Sequence, residues 1–399
     1  MESNVLGIGV ISAIGANVAE TRRNLYAETP RLPALPRRIQ TTLPLPVFEV
    51  EGVVPDETQP GGFTMQLLRI ALEEALDNAG LTKETLKERK VGVVIGTTVA
   101  CQLNNIPFYA ELRAGHSPSP EPLQRYIDGN PAEWIRRNYG LNGPAVTVSN
   151  ACSSGADAIG IAHLWLQQGK CDLVIAGGAD ELNKVPLDGF NALGVCSPEP
   201  CRPFDANRRG LNLGEAAGVL LLGNPPNTPS PSSLARPTPP THPHWKIAGF
   251  GKTSDAFHIT QPDPAGMGLE RAIRDAVNMA GISLEEVAFI NAHGTGTQAN
   301  DAVESNVFAR VFPQGIPFLS TKALTGHTLG AAGAIEAIFT LLMLEEQRVP
   351  RSVRFETAGT DMPATPLRAP LTLHNARYAI STSLAFGGSN SVLALHYNP

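Results

Sequence analysis

Three stretches of the chain are apolar on both faces of any strand they could form: VGVVIGT (91–97), DLVIAGGA (172–179) and AGVLLLG (217–223). A strand without polar alternation needs cover on both sides, as in a sheet held between helices. Further strand patterns are AVTVS (145–149), KIAGFG (246–251), VAFINAHG (287–294), FLSTK (318–322), YAISTSLAF (378–386) and SVLALHY (391–397). Helical patterns lie between them: TMQLLRIALEEALDNAG (64–80), the segment after Cys152, GLERAIRDAVNMAG (268–281) and GAAGAIEAIFTLLMLEEQ (330–347). Gly80 and Gly281 end two of them, where glycine supplies the left-handed stop. The alternation predicts an α/β layered fold.

The pattern also repeats. Helices 64–80 and 268–281, ending NAG and MAG, each lead into an apolar strand. Later in each half a strand runs into a Gly/Ala-rich helix, in TVSNACSSGADAIGIAHLWLQQ and in FLSTKALTGHTLGAAGAIEAIFTLL. Two copies of one βαβ-type unit are expected, with Cys152 and His327 at matching helix starts. Between them NPPNTPSPSSLARPTPPTHPH holds eight prolines and suits neither helix nor sheet. The expected division is a half at 1–224 carrying the cysteine, a Pro-rich connection at 225–244, and a half at 245–399 carrying two histidines and a lysine.

Composition narrows the partners. A net charge of -6 argues against a general nucleic-acid or membrane-surface binder. The longest apolar runs are too short to span a bilayer, so no membrane span is expected. MESNVLGIGV has no basic region ahead of its apolar run and reads as a first strand. Five cysteines, an odd number at scattered spacings, fit a reduced cytoplasmic protein better than a disulfide framework. Cys196 and Cys201 have no accompanying Cys/His pair, and no metal is expected.

Several residues carry candidate chemistry. Cys152 has two readings: a small core thiol, or a nucleophile whose thiolate is stabilised by the N–H groups of a helix start. His293, in HGTGT, ends an apolar strand, where α/β sites gather, and His327 lies in GHTLGAAG. A lone histidine in either loop reads as structural. Two of them, with a cysteine in the matching position of the other half, are harder to explain by packing. Lys322 is either the first solvated residue after its strand or a partner to this group. Glu336 is a carboxylate inside an apolar helix, unusual without a partner. Asp301 and Glu304 share a helical face, as a surface pair or as partners of Lys322. Phe386, before two glycines in AFGGSN, sits in a hairpin that could also work as a gate.

The ordered set NACSSG, RPFDANRRGLNLGEAAGVLLL, NAHGTGTQANDAVE, STKALTGHTLGAAGAIEA and AFGGSN closely resembles the β-ketoacyl-(acyl carrier protein) synthases, most of all the elongating Cys-His-His type. The resemblance runs from VLGIGVISAIG to SVLALHY. It implies the thiolase fold, two similar α/β halves in a five-layered αβαβα arrangement. It implies Cys152 as the acyl-accepting nucleophile, and His293 and His327 as the pair that binds a malonyl thioester and promotes its decarboxylation. Lys322 becomes the supporting lysine, with Asp301, Glu304 and Glu336 as an acidic network behind it. Phe386 becomes the gate, its N–H forming an oxyanion hole with that of Cys152. Thr295 and Thr297 are implied to bind phosphopantetheine, and GKTSDAFHITQP to form a mobile loop whose Asp255 and His258 are implied to bind substrate. The implied partners are acyl carrier protein and a second subunit, as a homodimer or as a heterodimer with a chain-length-factor-type subunit; no cofactor is implied beyond the carrier's phosphopantetheine. Arg69, Arg136, Arg137, Arg208 and Arg209 are candidates for carrier docking. A non-catalytic chain-length-factor-type subunit is the alternative, disfavoured because such partners lack the nucleophilic cysteine. A degradative thiolase would need a second cysteine near AFGGSN. The stretch TVACQLNN departs from the family pattern and leaves chain-length preference open.

Overall fold

The computed structural model describes residues 2–56, 61–98, 106–128, 130–224 and 244–399. The Pro-rich connection up to residue 243 and most of TVACQLNN, with Cys101, therefore lie outside the described residues.

Ten strands form one hydrogen-bonded sheet. In chain order they are β1 (Ser3–Ser12), β2 (Val91–Gly96), β3 (Ala145–Val148), β4 (Leu173–Asp180) and β5 (Ala216–Gly223). The second set is β6 (Trp245–Ser254), β7 (Val287–Asn291), β8 (Phe318–Leu319), β9 (Tyr378–Ala385) and β10 (Ser389–Tyr397). The spatial order is β3-β2-β4-β5-β1-β6-β10-β9-β7-β8. Read inward from each edge, both sets run third, second, fourth, fifth, first. The pairing directions repeat too: the outer three strands of each set are parallel, and the inner two join antiparallel. Among the described residues the sets pair only through Ser3↔Ile247 and Asn4↔Lys246, so they act as two five-stranded sheets hinged along one edge.

The helices used below are α1 (Gly62–Ala79), α2 (Pro131–Tyr139), α3 (Ser154–Gln167), α4 (Lys184–Ala192), α5 (Met267–Ala280), α6 (Gln298–Val311) and α7 (Ala332–Glu345). Helices α3 and α7 pack against each other, and each touches strands of both sheets. They form a central layer, and accordingly α7 is buried on every side from Ala332 to Leu344. Helix α1 covers the outer face of the first sheet and α5 that of the second. The result is five layers, αβαβα, with separate apolar clusters above, between and below the sheets.

The duplication extends to individual atoms of packing. A Cβ on Gly9 of β1 would stand 2.0 Å from the carbonyl oxygen of Ala71 in α1. One on Gly251 of β6 would stand 1.9 Å from that of Ala272 in α5. Each half thus uses a strand glycine and a helix alanine to bring backbone against backbone. Gly80 and Gly281 adopt the expected left-handed caps, with φ of 63° and 71°.

Candidate active site

The reactive residues gather where strands end. Cys152 follows β3, His293 follows β7, His327 follows β8 and Phe386 follows β9. All four, with Thr295, Thr297 and Asp255, line one cavity of about 330 Å³. One ligating atom each of Cys152, His293 and His327 lies within 4.8 Å of the others, and all three residues are buried. The imidazole planes cross at 87° with centres 5.2 Å apart, so the rings converge on a point instead of stacking.

The loop before Cys152 is bent by Ala151, whose φ is 48°, a conformation costly without glycine. Ser154 secures it, its hydroxyl accepting from the N–H of Asn150 at 2.8 Å and donating to the carbonyl of Ala151 at 2.6 Å. The cap residue of α3 is Ser153, so Cys152 sits one residue ahead of the helix cap. Burial pushes its thiol up to about 11, although the charge of Lys322 and the backbone N–H groups of Phe386 and of Cys152 itself favour the thiolate. The expected lowering by the helix end is therefore outweighed, because complete burial removes the water that would solvate a sulfur anion. The two N–H groups converge on Sγ, and together they form the polar floor an oxyanion would need.

Both histidines have one ring nitrogen committed. Lys322, 1% exposed, places Nζ 3.1 Å from Nδ1 of His293 and 2.5 Å from Oε1 of Glu336. An ammonium can only donate, so His293 Nδ1 accepts and its proton resides on Nε2. The N–H of Leu329 donates to Nδ1 of His327 at 3.1 Å, which fixes the same tautomer there. Burial and the Lys322 charge hold both imidazoles well below the usual histidine range. The pair is thus neutral and presents Nε2–H donors. A Cys-His-His group this compact is also the donor set of a soft metal ion such as zinc, but the adjacent Lys322 ammonium opposes a cation there.

The acidic residues divide differently from the expected network. Glu336 alone meets Lys322, and burial raises its carboxyl to about 7. Asp301 and Glu304 are fully buried and clasp the His293 loop instead. Glu304 accepts from the N–H groups of His293 and Gly294 at 2.8 and 2.6 Å, and Asp301 from those of Phe204 and Gly296 at 2.6 and 3.2 Å. They are neither a surface pair nor partners of Lys322. The N–H groups of His293, Gly294 and Gly296 in the loop after this apolar strand need external acceptors, and α6 supplies them.

Other expected residues are placed as follows. The hydroxyls of Thr295 and Thr297 lie 2.9 Å apart on the cavity wall. Asp255 Oδ1 accepts from Asn390 at 2.7 Å, tying its loop to the Phe386 turn. His258 is exposed, bonded among the described residues only to nearby Thr260, and does not line the cavity. Its loop turns it outward after Asp255, which corrects its assignment to substrate binding in this conformation. Arg208 is also corrected: its side chain is 1% exposed and ion-paired with Asp361 at 2.7 Å, so it cannot meet a carrier. Arg209 is exposed at the cavity edge, paired with Glu199 at 3.3 Å. Arg136 and Arg137 are paired with Glu133 at 2.7 and 2.6 Å, and Arg69 packs over Trp134, all away from the cavity lining.

Phe190, on α4, did not stand out in the sequence. It stacks on Phe386 at 5.3 Å between centres and meets His327 edge-on at 6.3 Å. Nothing local distinguishes it from any half-buried phenylalanine, since its partner lies nearly two hundred residues away.

Comparison with known proteins bears directly on this arrangement. Residues 4–225 match the family model described as beta-ketoacyl synthase, N-terminal domain, and residues 244–356 match the corresponding C-terminal domain. A 3-oxoacyl-[acyl-carrier-protein] synthase 2 of Staphylococcus aureus is 30% identical over 98% of this chain and 96% of its own. A protein of Schizosaccharomyces pombe described as a putative mitochondrial 3-oxoacyl-[acyl-carrier-protein] synthase is 28% identical over 98% of this chain and 97% of its own. Among solved structures, one described as the ishigamide ketosynthase/chain length factor superposes with a TM-score of 0.87 at 30% identity, over 100% of this chain and 99% of that one. Among the described residues no helix is long and apolar enough to cross a membrane.

Proposed function

The chain belongs to the beta-ketoacyl synthase family, and from that premise we propose that Cys152, His293 and His327 carry out its decarboxylative condensation. The carrying observation is the convergence of their reactive atoms within 4.8 Å, with both imidazoles held as neutral Nε2–H donors. The enzyme is an acyltransferase, a 3-oxoacyl-[acyl-carrier-protein] synthase of fatty-acid or polyketide synthesis.

In the first half-reaction the Cys152 sulfur attacks the acyl thioester of a carrier. The carbon–sulfur bond to the carrier breaks, and the thiol proton of Cys152 passes to the departing carrier thiolate. A thiol with a raised pKa gives up its proton only as the new bond forms, so the N–H groups of Cys152 and Phe386 act on the tetrahedral oxyanion. In the second half-reaction a malonyl thioester loses CO₂, and the electron pair becomes an enolate. The two Nε2–H groups donate to its oxygen. The enolate carbon then attacks the Cys152 thioester, a carbon–carbon bond forms, and the sulfur leaves and takes up a proton. Thr295 and Thr297 offer hydroxyls to the pantetheine arm on the cavity wall. The stacked Phe190 and Phe386 rings guard the acyl entrance beside His327. No redox or metal step is needed for atoms and electrons to balance.

The substrates ride on phosphopantetheine of acyl carrier protein, and Arg209 is the exposed basic residue at the cavity mouth. The likeness to a ketosynthase/chain length factor structure supports a paired subunit, homodimeric or with a chain-length-factor-type partner. The two halves span 1–224 and 245–399 around the connection. Free cysteines among the described residues suit a reducing cytoplasmic compartment. The non-catalytic alternative gains nothing from the site, in which nucleophile and both donors are present.

The test is His327→Ala. Malonyl decarboxylation should fall roughly a hundredfold, the usual effect of losing one positioned donor, while acylation of Cys152 stays within about threefold. Equal loss of both steps would show that His327 does not serve decarboxylation separately.

A further inference from the structure

A second polar cluster lies beneath the nucleophile loop, and the reaction steps above leave it unused. Lys252, in β6, reaches across the sheet junction to Asp157, in the first turn of α3. Its Nζ donates to the two carboxylate oxygens of Asp157 at 2.9 and 2.8 Å, to Ser391 Oγ at 2.9 Å, and to Ser389 Oγ. Asp157 also accepts from Asn150 Nδ2 at 2.7 Å, from Ser153 Oγ at 3.0 Å and from Ser391 Oγ. Ser389 Oγ is within 3.1 Å of Asn150 Nδ2 and 3.0 Å of Ser153 Oγ. The Asp157 side chain is 5% exposed and that of Lys252 33%.

The covalent neighbours of these groups give the cluster its meaning. Asn150 and Ser153 bracket Cys152, and Ser389 closes the turn that begins at Phe386. The two backbone N–H groups facing Cys152 Sγ belong to residues 152 and 386, one from each half of the fold. Ser154 secures the Cys152 loop internally but does not set its distance from the Phe386 turn. Ala151 is held at positive φ, and Gly387 and Gly388 have φ of 84° and 75°. Glycines in that region carry little intrinsic preference, so something outside the turn must fix it. The Lys252–Asp157 pair bonds to both loops at once.

We propose that Lys252, through Asp157 and Ser389, is a positioning residue that sets the spacing of the Cys152 and Phe386 N–H groups for the acyl-transfer step. The inference rests on the proposed roles of those groups. A displacement of an ångström at such donors costs about a hundredfold in rate, and malonyl decarboxylation at the histidine pair does not use them.

The experiment compares wild type, Lys252→Met, Lys252→Arg and the charge-neutral pair Lys252→Met with Asp157→Asn. Acylation of Cys152 by an acyl carrier protein thioester is followed by intact mass, and CO₂ release from the malonyl carrier is measured in parallel. Lys252→Met should slow acylation at saturating donor by roughly 10–100-fold, with decarboxylation within about threefold of wild type. Lys252→Arg, which keeps a donor to both loops, should recover most of the loss. If Lys252→Met does not fold, the neutral pair removes the buried unpaired carboxylate and should show the same split. Equal loss of both steps, or acylation at the wild-type rate, overturns the inference. Failure of the wild-type protein itself to acylate would instead overturn the proposed function.

Discussion

Condensation by Cys152→Ala is expected to fall by roughly 10⁴-fold or more, as when a covalent nucleophile is removed from its assembled site. The fold should hold. Cys152 is 4% exposed, but alanine keeps the Cβ and loses only the sulfur, a deletion costing about 1 kcal/mol at such a site. The bent loop is secured by Ser154, which the substitution leaves in place. Cys152→Gln separates the two half-reactions more cleanly. Its amide carbonyl can occupy the place of an acyl thioester oxygen beside the N–H groups of residues 152 and 386. CO₂ release from a malonyl carrier should then persist without any carbon–carbon product. Retained condensation in either variant, measured as extended carrier-bound product, would remove Cys152 from the mechanism.

The second large effect concerns Lys322. Lys322→Met leaves Glu336 buried with its Oε1 partner gone, while Oε2 has no hydrogen-bond partner among the described residues even in the intact site. Breaking a buried pair from one side typically costs 3–5 kcal/mol, about that much being expected here. The deficit is pH-dependent. The Glu336 carboxyl is already raised to about 7, and loss of the neighbouring ammonium raises it further. A group whose folded pKa is raised holds its proton in the folded state and releases it on unfolding. Its penalty is therefore least near the ordinary glutamate range and grows as pH rises through neutrality. Thermal melts of Lys322→Met should diverge from wild type as pH rises from about 5 to 8. The double variant Lys322→Met with Glu336→Leu should recover much of the stability, since an apolar pair can replace a buried ionic one. It should not recover decarboxylation, because His293 Nδ1 still lacks the donor that fixes its proton on Nε2. A melt insensitive to pH, or full activity in the double variant, would refute this account of the pair.

The layered fold and its duplication were legible because they are written in local patterns. Continuous apolar runs such as 217–223 announce strands covered on both faces, and Gly80 and Gly281 announce helix ends. The residues of the site were legible as types in telling places: a cysteine and a histidine at matching strand-to-helix loops, and a carboxylate, Glu336, inside an apolar helix. What spacing could not convey was pairing across the fold. Asp301 and Glu304 sit a helical turn apart, which says that they share a face but not that the face meets the His293 loop. Arg208 and Arg209 are adjacent in sequence, yet one is buried against Asp361 and the other lies at the cavity edge. Lys252 and Asp157 are far apart in the chain, and only the junction of the two sheets brings them together. The thiol of Cys152 is the plainest case of competing effects. A helix end nearby predicts a lowered pKa, and enclosure in the cavity reverses it.

The central claim is that Cys152 receives an acyl chain and surrenders it to a decarboxylated malonyl unit. Intact-protein and peptide mass spectrometry tests it directly, with wild-type protein incubated first with carrier-bound acyl chains of several lengths and degrees of unsaturation, then with malonyl carrier. The account predicts a mass increase equal to the acyl group on the peptide containing Cys152. It predicts loss of that mass on adding malonyl carrier, with an extended β-ketoacyl carrier appearing in equal amount. An acyl group on another residue, or an extended carrier formed while the Cys152 adduct persists, would contradict it.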